Sequence, residues 1–305
     1  MSHSGTATQT ITRLESAPKS ESAKHRHRAT KDLRRLLLCW CLSGKWHYPI
    51  LLLSRTGYLL ARDKYSAFSI DLVYANSPAG WGWIGRRVDR YVLNLPVHQA
   101  VRARFDFVVR HGTALIEQLL AQGDDRLAVL SVPCGLARDL CTIYARLRPR
   151  HRDLARRLAL YGLDVDFEGN VLQEAQRRAT AAHVSIRLIQ ANALDPKSWA
   201  WLAETDASLG LVNCIGLAPW LTPAELRALL HRFAAHLRPG GYVLLDRWNR
   251  GQHGKWGPAA EIHANYHTDG EYLEHIQACG FALVTSEVLG DDEGMGYLLQ
   301  KRGGA

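Results

Sequence analysis

The sequence lacks the features that mark secreted, membrane-spanning and metal-binding proteins. Its six cysteines form no CxxC pair and have no zinc-ligand spacing with histidine. The first 30 residues contain no apolar signal-peptide core. The apolar stretch from Leu36 to Leu60 is too short to span a membrane, because polar residues and a proline interrupt it at Lys45, His47, Pro49 and Arg55. These absences predict a cytoplasmic protein with reduced cysteines, no bound metal and no transmembrane segment.

Positive charge is concentrated at the start of the chain. The net charge is +9, and residues 1–36 hold eight Lys or Arg against three acidic residues, which is five of the nine excess charges. The remainder is only mildly basic, which predicts no specific binding of nucleic acid. Residues 1–30 are polar and have no hydrophobic periodicity, so we predict a disordered basic arm able to make weak contact with anionic surfaces.

Two hydrophobic patterns divide the rest of the chain. Residues 31–122 show helical spacing, with breaks near 44–49, 76–82 and 95–96. From Leu127, short apolar runs alternate with amphipathic helices, as in βαβ units that form a parallel sheet. The predicted strands cover residues 127–132, 158–163, 184–188, 209–215, 242–246, 281–288 and 295–301. The sequence therefore predicts a helical cap over residues 31–122 and an α/β domain over residues 123–305.

The ends of the first two predicted strands carry residues suited to a ligand. A parallel sheet binds ligands outside the carboxyl ends of its strands. The turn after the first strand, Ser131-Val132-Pro133-Cys134-Gly135, has small residues that let a ligand approach the backbone, and the following helix start favours an anionic carboxylate. Asp164, about 30 residues after Gly135, is suited to accept both hydroxyls of a ribose. Asp166 is suited to cap the next helix.

The ends of the third and fourth predicted strands complete this edge of the sheet. Asn192 follows the third strand, and its side-chain amide can pair with an adenine edge. The fourth strand ends at Asn213-Cys214-Ile215, which places these residues under the reacting group of a ligand.

This ordered set resembles the class I S-adenosylmethionine-dependent methyltransferase superfamily over about residues 125–302. The most specific segment runs from Trp220 through a capping box at Thr222–Glu225 and Pro239-Gly240-Gly241 to Asp246. The resemblance implies a Rossmann-like, doubly wound and mostly parallel seven-stranded sheet whose last strand is antiparallel. It also implies S-adenosylmethionine as the cofactor.

The resemblance also assigns cofactor contacts. It implies that Gly135 lies in the methionine-binding loop, Asp164 contacts ribose and Asn192 contacts adenine, with Ile215 beside the sulfonium. The implied cofactor-binding set is Ser131, Pro133, Cys134, Gly135, Asp164, Val165, Asn192, Ala193, Asn213 and Ile215.

The chain departs from the family pattern in ways that leave the reaction open. Ser131 stands where an acid is common, Pro133 and Ala137 replace glycines, and Gly210 replaces the usual acid of the fourth strand. Asn213 is not followed by Pro-Pro-aromatic, so the signature of amino-group methylation on nucleobases or glutamine is missing.

Two segments offer residues that would close the site. Methyl transfer requires in-line placement and a cage around the cation more than an acid–base pair. The insertion after the fifth strand contains His263 and Tyr266, which we predict as catalytic residues together with Asn213; the same His/Tyr cluster also fits a solvated loop. Residues 79–89 of the cap, with three glycines and two tryptophans, are predicted to form a lid loop near the reacting centre.

The predicted function is a methyltransferase that acts on a small-molecule substrate. An alternative enzyme of the same superfamily would cyclise the amino-acid half of S-adenosylmethionine and release methylthioadenosine, as azetidine-2-carboxylate-type synthases do. A third possibility is a non-enzymatic binding module that uses the basic arm on a membrane surface or a nucleic acid.

Overall fold

The computed structural model describes residues 12–13, 53–63, 66–123, 126–205, 207–250, 264–290 and 293–303. Within these residues, four helices precede the parallel strands: α1 (Arg55–Asp63), α2 (Ala67–Ala75), α3 (Gly82–Leu93) and α4 (Pro96–Ala121). Asn76 and Asn94 end α2 and α3, close to the two chain breaks that the sequence predicts there.

Strands and helices alternate through the remainder of the described chain. The strands are β1 (Thr12–Arg13), β2 (Leu127–Ser131), β3 (Leu158–Asp164), β4 (Ile186–Gln190), β5 (Ser208–Cys214), β6 (Tyr242–Trp248), β7 (Phe281–Leu289) and β8 (Gly294–Lys301). The helices are α5 (Arg138–Leu147), α6 (Leu154–Arg157), α7 (Val171–Ala181), α8 (Pro223–His236) and α9 (Asp269–Ala278), with 3-10 segments at Pro196–Glu204 and Ala218–Trp220. All seven predicted strands are present, with ends within two residues of the prediction.

The strands form one sheet in the order β1-β4-β3-β2-β5-β6-β8-β7. Strands β2 to β6 are parallel, and β8 runs antiparallel to both β6 and β7. This arrangement confirms the mostly parallel, Rossmann-like sheet with an antiparallel last strand. The two-residue β1 adds an eighth strand beside β4, within the arm that the sequence predicts to be disordered. The strand order reverses at β2, which has β3 on one side and β5 on the other.

Each face of the sheet is covered by a buried apolar cluster. One cluster combines sheet residues with α4, α5 and α7, including Phe107, Ile116, Leu140 and Leu172. The other lies under α8, α9 and the 3-10 segment, and includes Trp199. Because the second half of α4 supplies core residues, this helix belongs to the sheet domain as well as to the cap.

A buried carboxylate holds the first three helices together. Asp89 of α3 is fully buried and accepts hydrogen bonds from the Ser54 hydroxyl, from Thr56 N at 2.9 Å and from Ala79 N at 2.7 Å. A Cβ added at Gly80 would lie 2.1 Å from the Gly85 carbonyl oxygen. Gly80 and Gly85 therefore allow close backbone packing, and most of this predicted lid loop is helix α3.

None of the helices in the described ranges combines the length and the apolar content needed to cross a membrane.

Candidate functional site

A cavity of about 350 Å³ lies at the carboxyl ends of β2, β3 and β5. Here the strand order reverses, which is where open α/β sheets bind ligands. Its volume falls at the small end of the range of ligand pockets. Helices α2 and α4 of the cap cover its open side through Ile70, Tyr74, Arg104 and Phe105.

The turn after β2 is shaped by local backbone constraints. Gly135 has a φ of +48°, a left-handed conformation that favours glycine. Cys134 N donates to Leu163 O at 3.0 Å, which draws the turn onto the end of β3. Gly162 permits this approach, because a Cβ there would lie 2.9 Å from Cys134 Sγ. Burial raises the pKa of the Cys134 thiol well above its usual value, which disfavours the nucleophilic thiolate form.

Asp164 joins this turn to the cavity. Its carboxylate accepts hydrogen bonds from Gly135 N and from Asp166 N, each at 2.9 Å, and each oxygen keeps a second lone pair. Burial raises the pKa of Asp164. Asp166 does not line the cavity and instead caps α7, accepting from Val171 N at 2.9 Å and from Leu172 N at 3.4 Å. The two acids thus have separate structural tasks, as their positions in the sequence indicate.

A polar group built on Asp139 lies between the ends of β2 and β5. Ser131 Oγ donates to the Asp139 carboxylate at 2.7 Å, and Asn213 Nδ2 donates to the same carboxylate. Burial raises the pKa of Asp139. Asn213 is only 4% exposed, and its Oδ1 has no hydrogen-bond partner among the described residues. The cavity wall therefore includes a buried acceptor that a ligand N–H group would satisfy.

A second polar chain links the cap to the end of β6. Arg104 of α4 donates to Asp246 at 3.2 Å and to the Tyr74 hydroxyl at 3.3 Å. Gly216 N, in the turn after β5, donates to the other oxygen of Asp246 at 2.8 Å. Burial alone would lower the pKa of Arg104, but Tyr74 and Asp246 raise it, so the guanidinium stays charged. Burial raises the pKa of Tyr74, so its phenol stays protonated.

Helix α2 is fastened over the cavity by charge pairs. The Asp71 carboxylate accepts from Arg138 at 2.6 and 3.1 Å and from Arg178 at 2.6 and 2.8 Å. Burial tends to raise the pKa of Asp71, but the two guanidinium groups lower it below its ordinary value. At the start of α2, Ala67 N donates to Glu168 at 3.2 Å. The cap is therefore attached to α5, α7 and the loop between β3 and α7.

The structure brings together most of the residues that the sequence singles out. Eight of the ten predicted cofactor contacts line the cavity: Ser131, Pro133, Cys134, Gly135, Asp164, Val165, Asn213 and Ile215. Asn192 and Ala193 do not. Asn192 is exposed and its Oδ1 accepts from Leu194 N at 2.9 Å, while the Ala193 carbonyl accepts from Trp199 Nε1 at 3.0 Å.

The predicted catalytic residues are spread more widely. Asn213 lines the cavity, whereas Tyr266 is half-buried outside it and His263 lies outside the described residues. The segment of Tyr266 passes close to the cavity rim, because Asn265 N donates to Pro219 O at 2.7 Å, beside the cavity residue Trp220.

The sequence did not single out several cavity residues. Asp139 lies at the start of α5, just after the glycine turn, so its position gave a signal. Arg104 has no local signal, because only tertiary packing of α4 brings it to the cavity. No residue of 79–89 lines the cavity, and Trp81 and Trp83 are 71% and 67% exposed. The cap residues that line the cavity lie in or beside α2 and in α4 instead.

Within the described residues, no group of three or more His, Cys, Asp or Glu side chains is arranged to hold a metal ion.

Residues 129–241 match the model of a family described as a methyltransferase domain. The matched segment contains the glycine turn, Asp164, Asn213 and the capping box of α8. Over these residues the chain is therefore similar to methyltransferase domains. Methyltransferases of this kind use S-adenosylmethionine. No curated protein matches the chain in sequence.

Three solved structures are similar to this chain. A protein from Bordetella parapertussis, described as a possible exported protein, has 17% identity and a TM-score of 0.68, covering 94% of this chain and 99% of its own. Magnesium protoporphyrin IX methyltransferase from Synechocystis, with bound S-adenosylhomocysteine, has 15% identity and a TM-score of 0.49, covering 79% and 97%. A methyltransferase from Clostridium acetobutylicum has 10% identity and a TM-score of 0.45, covering 66% and 92%. At these identities the similarity concerns the fold alone.

Proposed function

We propose that this protein binds S-adenosylmethionine in the cavity and transfers its methyl group to a small molecule. The observation that carries the proposal is the position of the cavity. It lies at the carboxyl edge of a methyltransferase domain and joins Asp164, the glycine turn and the unpartnered oxygen of Asn213.

The polar residues of the cavity fit the parts of this cofactor. Asp164 offers two free lone pairs for the ribose hydroxyls. Asn213 Oδ1 and the Asp139 carboxylate suit the ammonium group of the methionine part, because both are buried acceptors. Arg138 and the first amide groups of α5 suit its carboxylate. Asn192 and Ala193 stay proposed adenine contacts that would require the ligand to extend past the cavity.

The opposite wall of the cavity is suited to the methyl acceptor. Tyr74, Phe105 and Trp220 supply aromatic surface there, and Arg104 supplies a buried charge whose Nε has no partner among the described residues. A neutral Tyr74 hydroxyl that accepts from Arg104 keeps its own proton to donate to an acceptor oxygen. The small, covered cavity has no room for a folded macromolecule, which favours a small-molecule acceptor.

Transfer requires no acid–base pair when the acceptor is already nucleophilic. The bound cofactor would supply an electrophilic methyl group, and the residues of this chain would hold the two reactants in line. Closure of α2 through Asp71 excludes water from the reacting atoms. Any proton removal by Tyr266 or His263 remains a proposal.

Binding and product analysis test this function together. Calorimetry should show that S-adenosylmethionine, S-adenosylhomocysteine and methylthioadenosine bind at one site per chain. Absence of binding by all three would refute the proposal. With S-adenosylmethionine alone, mass spectrometry should find no turnover until an acceptor is added. Release of methylthioadenosine and a cyclic amino acid without an acceptor would establish the cyclising alternative instead.

We also propose that the protein works in a reducing, cytoplasmic compartment. Cys134, Cys141, Cys214 and Cys279 are buried free thiols, and none of them forms a disulfide.

A further inference from the structure

The outward face of α3 exposes large apolar residues that serve neither the core nor the cavity. Trp81, which precedes α3, and Trp83 and Tyr91 within it are 71%, 67% and 63% exposed, and Ile84 is 48% exposed. Isolated exposed apolar residues are common on soluble proteins, but a cluster of large ones marks an interaction surface.

The same face carries positive charge only. Arg86, Arg87 and Arg90 are exposed between the aromatic residues, and none of them forms an ion pair within the described ranges. The single acidic residue of α3, Asp89, points inward and is fully buried. We call Trp81, Trp83, Ile84, Arg86, Arg87, Arg90 and Tyr91 the α3 outward face.

Helical geometry explains how four of these residues share one face. Gly85, Asp89 and Val92 recur at spacings of four and three residues and face the other cap helices. At 100° per residue, Trp83, Arg87, Arg90 and Tyr91 point to the opposite side. The Asp89 hydrogen bonds to Ser54, Thr56 and Ala79 fix the helix in this orientation, so the face is presented on a rigid support.

We propose that the α3 outward face binds the surface of an anionic lipid bilayer. Tryptophan and tyrosine are enriched at membrane interfaces, and an amphipathic helix with aromatic and basic residues lies in the interface plane. Each basic residue near an anionic bilayer strengthens binding about fivefold. A nucleic acid fits less well, since Ile84 offers no ring to stack on a base.

Vesicle sedimentation with the full-length protein tests the proposal. The protein should co-sediment with vesicles of phosphatidylcholine and phosphatidylglycerol, and much less with pure phosphatidylcholine. Trp81→Ser combined with Trp83→Ser should weaken binding at least about tenfold. Arg86→Gln with Arg87→Gln and Arg90→Gln should weaken it and reduce its dependence on salt.

A charge-matched control separates this face from general basicity. Arg146→Gln with Arg148→Gln and Arg152→Gln removes the same charge from exposed positions at the other end of the sheet. This variant should keep binding within about twofold of the parent. Circular dichroism and the affinity for S-adenosylhomocysteine should be unchanged in all three variants, because none alters a cavity residue.

Several outcomes would overturn the proposal. One is that the parent protein does not co-sediment with anionic vesicles. Another is equal binding by the parent and the tryptophan variant, which would assign the binding to the basic arm. A concentration-dependent dimer that the tryptophan substitutions abolish would identify the face as a contact between two copies. Tighter binding to an oligonucleotide than to vesicles would assign the face to nucleic acid.

Discussion

Replacement of Asp164 by asparagine tests the cofactor assignment most directly. In the structure, each Asp164 oxygen already accepts one backbone N–H, from Gly135 or from Asp166, at 2.9 Å. Asparagine keeps one accepting oxygen and turns an N–H₂ group toward the other donor. Because one buried N–H loses its acceptor, we expect a loss of stability of about 1–3 kcal/mol. Alanine would leave the N–H groups of both Gly135 and Asp166 without an acceptor, so a loss of folding could not be separated from a loss of binding.

The effect on ligand affinity should be larger than the effect on folding. A hydrogen bond to a charged acceptor contributes about 1.5–3 kcal/mol, so the Asn variant should bind roughly tenfold to a hundredfold more weakly. S-adenosylmethionine and methylthioadenosine should lose affinity equally, since both contain the ribose. Calorimetry on protein that circular dichroism shows to be folded provides the measurement.

Asp166→Asn is the matched control for this experiment. Asp166 is equally buried, also accepts two backbone N–H groups, and does not line the cavity. It should lose comparable stability while its ligand affinity changes less than about threefold. An unchanged affinity in Asp164→Asn, or an equal loss in both variants, would refute direct contact between Asp164 and the ribose.

Three further substitutions or deletions probe other parts of the site. Asn213→Leu should weaken S-adenosylmethionine at least about tenfold but leave methylthioadenosine unaffected, because only the former has the ammonium group; equal loss by calorimetry would contradict this. Asp71→Asn should cost about 1–2 kcal/mol and speed hydrogen exchange in α2. The folded-state pKa of Asp71 is lowered, so the stability that its carboxylate contributes is fully present above the unfolded-state pKa. This stability is lost as the pH falls through the folded-state pKa. A wild type that stays more stable than Asp71→Asn at the lowest pH would contradict this reasoning. Deletion of residues 1–28 should keep turnover within about threefold and cost little stability, since the part of this segment that the structure describes, Thr12 and Arg13, adds two residues to the sheet edge; an unfolded product by circular dichroism would show that the arm packs.

The sheet can be predicted from the sequence because the patterns that indicate its strands lie within short segments of the chain. Each parallel strand is an apolar run bounded by turn residues, and the capping box at Thr222 occurs in the structure as the sequence predicts. The carboxyl-edge residues Gly135, Asp164 and Asn213 were also predictable, since topology alone brings strand ends together. Tyr74 and Arg104 are distant in sequence from that edge, and no spacing rule places a cap side chain over it.

The segment 79–89 shows why composition misled. Glycine and tryptophan together suggested a mobile loop, but Gly80 and Gly85 are needed for close backbone packing, and Asp89 is a buried anchor. The sequence does not distinguish a glycine that allows backbone motion from one that allows close backbone contact. The position of the neighbouring backbone in the fold distinguishes them. Gly210 likewise packs against Leu127 and Leu119 deep in the core, so its replacement of a family acid does not alter the cavity wall.

The shared role of α4 limits how this protein can be recombined with proteins of similar fold. At 1.5 Å per residue its 26 residues span about 39 Å, and one continuous rod presents Arg104 to the cavity and buries Ile116 in the core. A chimaera joined at residue 122 would replace α4 with the helix of another protein, whose side chains would not match the core against which α4 packs. A junction at Leu95–Pro96 would exchange helices α1 to α3, and with them the part of the cavity wall that contains Tyr74. It would leave the packing of α4 against the core unchanged. The Tyr74 wall of the cavity can therefore be exchanged without disturbing the core, whereas the Arg104 wall cannot.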